Sequence, residues 1–123
     1  SNVILHPPVS YAESFEIARQ AKICLNSSPF FRHGSHERIL NAFMCGAVPL
    51  TTHNGFVDEF FQPGIDLISY TTGDYDHVNE QINELLSNEP KRRKMAALGR
   101  QKVLGGHTWD TRAKELLTFI SKG

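Results

Sequence analysis

The chain has 123 residues, enough for one hydrophobic core, and is expected to form a single domain. Thirteen basic residues balance thirteen acidic ones, so no long-range field attracts nucleic acid and we expect no nucleic-acid partner. No apolar run approaches the roughly 18 residues of a membrane span, and no signal-peptide pattern is present. We therefore expect no membrane-spanning segment. The two cysteines do not suffice for a disulfide framework, which favours a reducing, cytoplasmic compartment.

The first part of the chain alternates short apolar runs with amphipathic segments. Val3–Leu5 is predicted as a buried strand. Ser10 and Glu13 have the Ser-x-x-Glu spacing of a capping box and predict the start of a helix. Ile23–Asn26 is predicted as the next buried strand, followed by a polar exit loop.

A central helix and strand come next. Ser35 is predicted as the N-cap of this helix, and Gly46 as its C-terminal stop. Val48–Thr51 is predicted as a strand, and Gly55 lies in the loop that opens the following helix. The apolar stripe of the central helix consists of Ile39, Leu40, Phe43 and Met44.

The last part of the chain predicts one more strand and three helices. Pro63-Gly64 introduces the strand candidate Ile65–Tyr70. Asp74, Pro90 and Thr108 begin the three helices. The last of these carries an apolar side made of Trp109, Ala113, Leu116, Leu117 and Ile120.

Strands that alternate with helices predict an α/β fold: a Rossmann-like parallel sheet of about four strands flanked by helices. Ligands of such sheets bind beyond the carboxyl ends of the strands. The predicted strand exits carry His6, Asn26, Thr51 and Tyr70. None is an aspartate suited to phosphorylation, which argues against a flavodoxin-like receiver. The histidines and cysteines have no metal-ligand spacing, so we assign no metal.

Several residues between positions 31 and 59 also match a family pattern, Arg-x-x-Glu-Ala-x-x-x-Gly-x-hydrophobic-hydrophobic-Thr followed by Gly-x-x-x-Glu. The matching residues are Arg38, Asn41-Ala42, Gly46, Leu50-Thr51, Gly55 and Glu59. With Pro63-Gly64 and the stretch 99–108, the chain resembles the C-terminal, donor-binding half of GT-B group 1 glycosyltransferases, in the spore-maturation-like branch. The resemblance implies a single partial nucleotide-sugar-binding domain over residues 3–123.

The resemblance also implies a site. Many members have two glutamates eight residues apart, and here those positions hold His33 and Asn41. Catalytic carboxylates are therefore not carried over, and His33 is the candidate in the first position. The implied substrate is a nucleotide-diphosphate sugar, with no further cofactor. The donor-binding candidates are Gly34, Ser35, Glu37, Arg38, Asn41, Asn54, Gly55 and Glu59.

Two functions remain open from the sequence. One is the donor-binding part of a glycosyltransferase that transfers a sugar to a saccharide, protein or lipid-linked acceptor. Its acceptor site would belong to a separate N-terminal domain, and residues 3–123 alone would be inactive. The other is a degenerate module that binds a ligand or partner without catalysis. In either case the strand Ile23–Asn26 needs a neighbour: Val3–Leu5 of the same chain, which we favour, or a second copy in a homodimer.

Overall fold

The computed structural model describes residues 2–123, which form three strands and six helices. The strands are β1 (Ile23–Asn26), β2 (Val48–Thr52) and β3 (Ile68–Tyr70). They form one parallel sheet in the order β1-β2-β3. The predicted α/β class with a parallel sheet is confirmed, with three strands in the described residues instead of about four.

Helices precede and follow each strand. Because β1 and β2 run parallel, the chain returns between them through the second helix, and the third helix begins directly after β2. The six helices are α1 (Tyr11–Gln20), α2 (Glu37–Met44), α3 (Gly55–Phe60), α4 (Tyr75–Ser87), α5 (Glu89–Gly106) and α6 (Trp109–Lys122).

The predicted strand at Val3–Leu5 is wrong. Residues 2–10 have no regular secondary structure, and the side chains of Ile4 and Leu5 are exposed. The sheet ends at β1 on that side, so Val3–Leu5 does not pair with Ile23–Asn26 within the chain. Three apolar residues are a short signal, and Pro7-Pro8 just beyond them cannot supply ladder donors.

The strand predicted from Ile65 begins three residues later, at Ile68. Residues 62–66 instead form a turn, in which the Gln62 amide donates to Oδ1 of Asp66 at 2.8 Å. Gly64 has a φ of 83° in this turn, a conformation that glycine adopts without strain. Ile65 is therefore exposed at the turn, although its β-branched side chain favours a strand.

The core has two parts that meet along α5. The first joins the sheet to α4 and α5, and the second joins α2, α3 and the C-terminal half of α5. Buried members of the first are Val48, Leu50, Ile68, Val78, Leu85, Met95 and Ala96. Buried members of the second are Ile39, Phe43, Val57, Phe61, Leu67 and Val103.

The first and last helices lie outside this core. Neither α1 nor α6 has a buried residue, although α1 has the predicted capping box and α6 the predicted Thr108 cap. The apolar side predicted for α6 therefore faces outward, and Trp109 is 85% exposed. No helix in residues 2–123 is long and apolar enough to cross a membrane.

Candidate functional site

Polar side chains join the carboxyl ends of β1 and β2. Nδ2 of Asn26 donates to Oγ1 of Thr51 at 3.0 Å. The amide of Ser28 donates to Oγ1 of Thr52 at 2.9 Å. Asn26, Thr51 and Thr52 are all buried, so these bonds fix the exit loop of β1 against the end of β2.

Residues 32–35 are in turn fixed to the start of α3. The Gly55 amide donates to the carbonyl of Arg32 at 3.0 Å. Nδ2 of Asn54 donates to the carbonyl of Gly34 at 3.1 Å, while its Oδ1 caps α3 by accepting from the Val57 amide. Asn54 is buried and uses both ends of its side-chain amide, so its position holds the loop in one geometry.

This loop brings His33 to Glu59. Nε2 of His33 lies 3.0 Å from Oε2 of Glu59, and both side chains are exposed. A carboxylate only accepts hydrogen bonds, so Nε2 carries the proton. A Cβ on Gly55 would lie 2.9 Å from Cδ2 of His33. The structure thus brings His33 next to Gly55 and Glu59, two predicted site residues that lie more than 20 positions further along the chain.

The first turn of α2 differs from the prediction. The N-cap is His36 and not Ser35, because Nδ1 of His36 accepts from the Arg38 amide at 3.2 Å. The Ser35 hydroxyl donates instead to the carbonyl of His36. Nε of Arg38 also donates to Nδ1 of His36, at 3.1 Å. The predicted stop at Gly46 is confirmed by its φ of 84° just after the helix.

Two cavities flank α2, and Glu37 and Asn41 line both. The first, of about 380 Å³, lies between α1, β1 and α2 and also has Asn26 and Arg38 in its wall. The second, of about 450 Å³, lies between α2 and the junction of α5 with α6. Its walls include Tyr11, Ser35, His36, Leu40, Met44, Val103, His107, Thr108, Trp109 and Arg112.

His107 joins the second cavity to α3. Its ring lies 4.8 Å from the ring centroid of Phe60 and 5.9 Å from that of Phe61. Nη2 of Arg112 lies 3.0 Å from Nδ1 of His107. Burial, and then the charge of Arg112, lower the pKa of His107, while Glu115 opposes this. Because a guanidinium only donates, Nδ1 accepts and the proton of the neutral ring is on Nε2.

His107 and Arg112 are not among the site residues that the sequence predicts. His107 lies within the stretch 99–108 that resembles the family, but no motif gives it a role. In residues 2–123, no group of three His, Cys, Asp or Glu side chains is arranged to hold a metal ion.

The parallel sheet, with polar groups gathered at its strand ends, defines a Rossmann-like α/β domain. The model of the family described as Glycosyl transferase-like matches residues 2–118. The chain belongs to that family and is a glycosyltransferase-type domain, as its resemblance predicts. A search of curated proteins found no match.

Proposed function

We propose that this chain is the nucleotide-sugar-binding part of a group 1 GT-B glycosyltransferase of the spore-maturation-like branch. Residues 3–123 would be a partial domain that holds the donor. A separate N-terminal domain would hold the saccharide, protein or lipid-linked acceptor. The proposal rests on the family match together with one observation: Asn41, in the second glutamate position of the family pattern, lines both cavities beside α2.

Asn41 supports ribose binding. Its side chain is half-buried on the wall shared by the two cavities, next to Glu37. An amide donates and accepts, so Asn41 suits a pair of ribose hydroxyls. It has no negative charge, so it does not stabilise a cationic transition state as a carboxylate would.

His33 and Glu59 support a contact with the sugar. Glu59 accepts a hydrogen bond from Nε2 of His33, which leaves Nδ1 available for a contact with a sugar hydroxyl group. Asn54 and Gly55 hold the loop in which His33 and Gly34 lie. His33 is thus our candidate catalytic or sugar-binding group, and Glu59 orients it.

An NMR titration of the chain with UDP, GDP or ADP tests the proposal. We expect amide shifts at Gly34–Arg38 and at Asn54–Glu59. The dissociation constant of a partial site should be about 1 mM, which corresponds to a binding free energy of about 4 kcal/mol. Shifts confined to the basic segment Lys91–Lys94 would show nonspecific attraction of phosphate and contradict the site.

Two variants of Asn41 sharpen this titration. Asn41→Leu keeps the size of the side chain and removes its hydrogen bonds, so affinity should fall several-fold, for a hydrogen bond worth about 1 kcal/mol. Asn41→Glu restores the family residue and should fold normally without weaker binding. If Asn41→Glu instead lowers the melting temperature sharply, Asn41 satisfies buried groups and does not face a ligand.

The second candidate function is a non-catalytic binding module. It is favoured by His33 and Asn41, which replace both glutamates of the family pattern. Such a module would show the same nucleotide shifts, but a protein that joins it to the proposed acceptor-binding domain would not transfer the sugar. Sugar transfer by such a two-domain protein that is lost in its His33→Ala variant would favour the enzyme.

A further inference from the structure

We propose that Arg112 is the cation that binds the diphosphate of the donor, and that His107 positions its guanidinium. This inference rests on the proposed function and adds to it the residue that recognises the phosphates. No motif residue implies it, since Arg112 lies outside the family pattern. It follows from where the two candidate arginines, Arg38 and Arg112, lie relative to α2.

The free N–H groups and positive dipole end at the start of α2 (Glu37–Met44) favour an anion, so we place the diphosphate there. The cavity walls then show which arginine lies near this helix start. Ser35 and His36 line the 450 Å³ cavity, and Arg112 lines the same cavity. Arg38 instead lines the cavity on the other side of α2. Its Nε is also engaged by Nδ1 of His36 at 3.1 Å. Arg112 is therefore the guanidinium that shares a cavity with this helix start.

The ribose position agrees with this arrangement. Asn41, the proposed ribose contact, lines the same 450 Å³ cavity as Arg112. In a nucleotide the diphosphate is attached directly to the ribose, so one ligand in this cavity can contact both residues. The apolar part of the cavity wall, from Leu40, Met44 and Val103, suits the nucleoside better than the charged phosphates.

The hydrogen bonds of Arg112 fix the position of its guanidinium group and leave further N–H groups that can bind an anion. Nη2 donates to Nδ1 of His107 at 3.0 Å, and Nη1 donates to Oε2 of Glu115 at 2.7 Å. These contacts use two of the five N–H groups of a guanidinium. His107 is neutral and packed against phenylalanine rings, so it fixes the guanidinium without repelling it. A planar guanidinium fixed in this way matches phosphate oxygens well.

Glu115 gives the inference a distinctive signature. Its carboxylate pairs with Arg112 and competes with a phosphate for the same guanidinium. Removing the charge of Arg112 and removing the charge of Glu115 should therefore change diphosphate affinity in opposite directions. A merely structural ion pair would instead show losses in both variants, or no change in either.

The experiment compares a nucleoside diphosphate with its nucleoside, using whichever of UDP, GDP and ADP binds the wild-type chain most tightly. Arg112→Gln should weaken diphosphate binding about tenfold, the effect of losing a charge-assisted hydrogen bond. Glu115→Gln should strengthen it about threefold, since exposed ion pairs are weak. Neither variant should change binding of the nucleoside.

Two further variants serve as controls. Arg93→Gln removes an arginine that is paired with Glu89 on an exposed turn of α5, and it should change diphosphate affinity less than twofold. His107→Phe keeps an aromatic ring against Phe60 and removes the acceptor for Arg112. It should weaken diphosphate binding while nucleoside binding stays constant.

The outcomes separate this inference from the proposed function. If Arg112→Gln binds the diphosphate as tightly as wild type, Arg112 is not the phosphate residue, although amide shifts at Gly34–Arg38 and Asn54–Glu59 would still support donor binding. Equal losses for diphosphate and nucleoside would show a structural role and also overturn the inference. If none of the three diphosphates binds the wild-type chain, the proposed function fails and this inference fails with it.

Discussion

Phe43 occupies the space that a side chain at position 99 would need. Gly99 is buried in α5, and a Cβ built there would overlap Cε1 and Cδ1 of the Phe43 ring. Phe43 is itself completely buried in α2, so its ring has no room to move. The close approach of α2 to α5 therefore depends on glycine at this position.

We predict that Gly99→Ala destabilises the domain by about 1–3 kcal/mol, the cost of overpacking a core. Thermal or urea unfolding followed by circular dichroism measures this. Gly105→Ala is the matched control, because Gly105 is in the same helix with nothing within 4 Å of its Cβ position. That variant should be neutral or slightly stabilising. Equal effects at both positions would contradict the packing explanation.

Asp66 has a buried carboxylate that pairs with a lysine. Its side chain is 1% exposed, and Oδ2 pairs with Nζ of Lys102 on α5. Oδ1 accepts from the Gln62 amide. The pair thus ties the turn before β3 to α5.

Lys102→Met should leave this carboxylate buried and unpaired, and cost about 3 kcal/mol of unfolding free energy. Lys91→Met provides the comparison, since Lys91 pairs with Glu84 where both side chains are exposed. That pair should be worth less than about 1 kcal/mol. Urea unfolding of both variants checks the difference. Equal costs in the two variants would contradict the importance of the buried ion pair.

At the scale of elements, α1 depends on its cap more than on its packing. Oγ of Ser10 accepts from the Glu13 amide at 3.2 Å, and the Ser10 amide donates to Oε2 of Glu13 at 2.8 Å. These hydrogen bonds lower the pKa of Glu13 from its ordinary value of 4.5. Because α1 has no buried residue, loss of the cap should loosen the helix locally and leave the core intact.

We predict that amide hydrogen exchange across Tyr11–Gln20 is faster in Ser10→Ala, because loss of the cap should lower the stability of this helix by about 1 kcal/mol. A carboxyl group whose pKa is lower in the folded state stabilises that state at any pH above its unfolded-state pKa. This stabilisation is lost as the pH falls through the folded-state pKa. Protection of α1 should therefore fall in wild type below pH 4.5. In Ser10→Ala this pH dependence should be much smaller. Exchange that is unchanged in the variant would contradict the role of the cap.

The sequence predicts elements where several local signals agree. The capping box of α1 and the Thr108 cap of α6 are confirmed because a polar residue precedes an amphipathic segment in each case. The prediction of Ser35 as the N-cap of α2 is wrong because His36, one residue later, provides the accepting side-chain atom instead. The prediction that a strand begins at Ile65 is wrong because a hydrogen bond to Asp66 stabilises a turn there, despite the β-propensity of isoleucine.

Only those residues of the candidate site that occupy positions of the family pattern could be predicted from the sequence. The family pattern gave Gly55 and Glu59, and the structure places both beside His33. His107 and Arg112 were missed because their contact with the cavity depends on how α5 returns to the strand ends. Local sequence carries no record of that packing.

At the scale of the whole molecule, α6 does not contribute to the core. Leu117 is 63% exposed and Ile120 is 62% exposed. We predict that Leu117→Ser and Ile120→Ser each change unfolding free energy by less than about 0.5 kcal/mol. Val103→Ser, which truncates a buried residue of α5, should cost at least about 2 kcal/mol. A comparable loss in α6 would show that its apolar side is covered in solution.

The edge of the sheet at β1 keeps one prediction open. The chain does not pair Val3–Leu5 with Ile23–Asn26, so the favoured repair within one chain is wrong. Pairing of this edge with a second copy stays a prediction. Sedimentation at several concentrations measures it, and a monomer at every concentration would contradict it.

The exposure of Trp109 determines how this protein can be observed by fluorescence. It is the single tryptophan of the chain, and it lies in the wall of the 450 Å³ cavity. Because its indole is exposed to water in the folded state, we expect its emission to resemble that of an unfolded chain and to be a poor monitor of denaturation. A ligand that enters the cavity replaces part of that water, so quenching or a blue shift of this emission would report occupancy without any added dye.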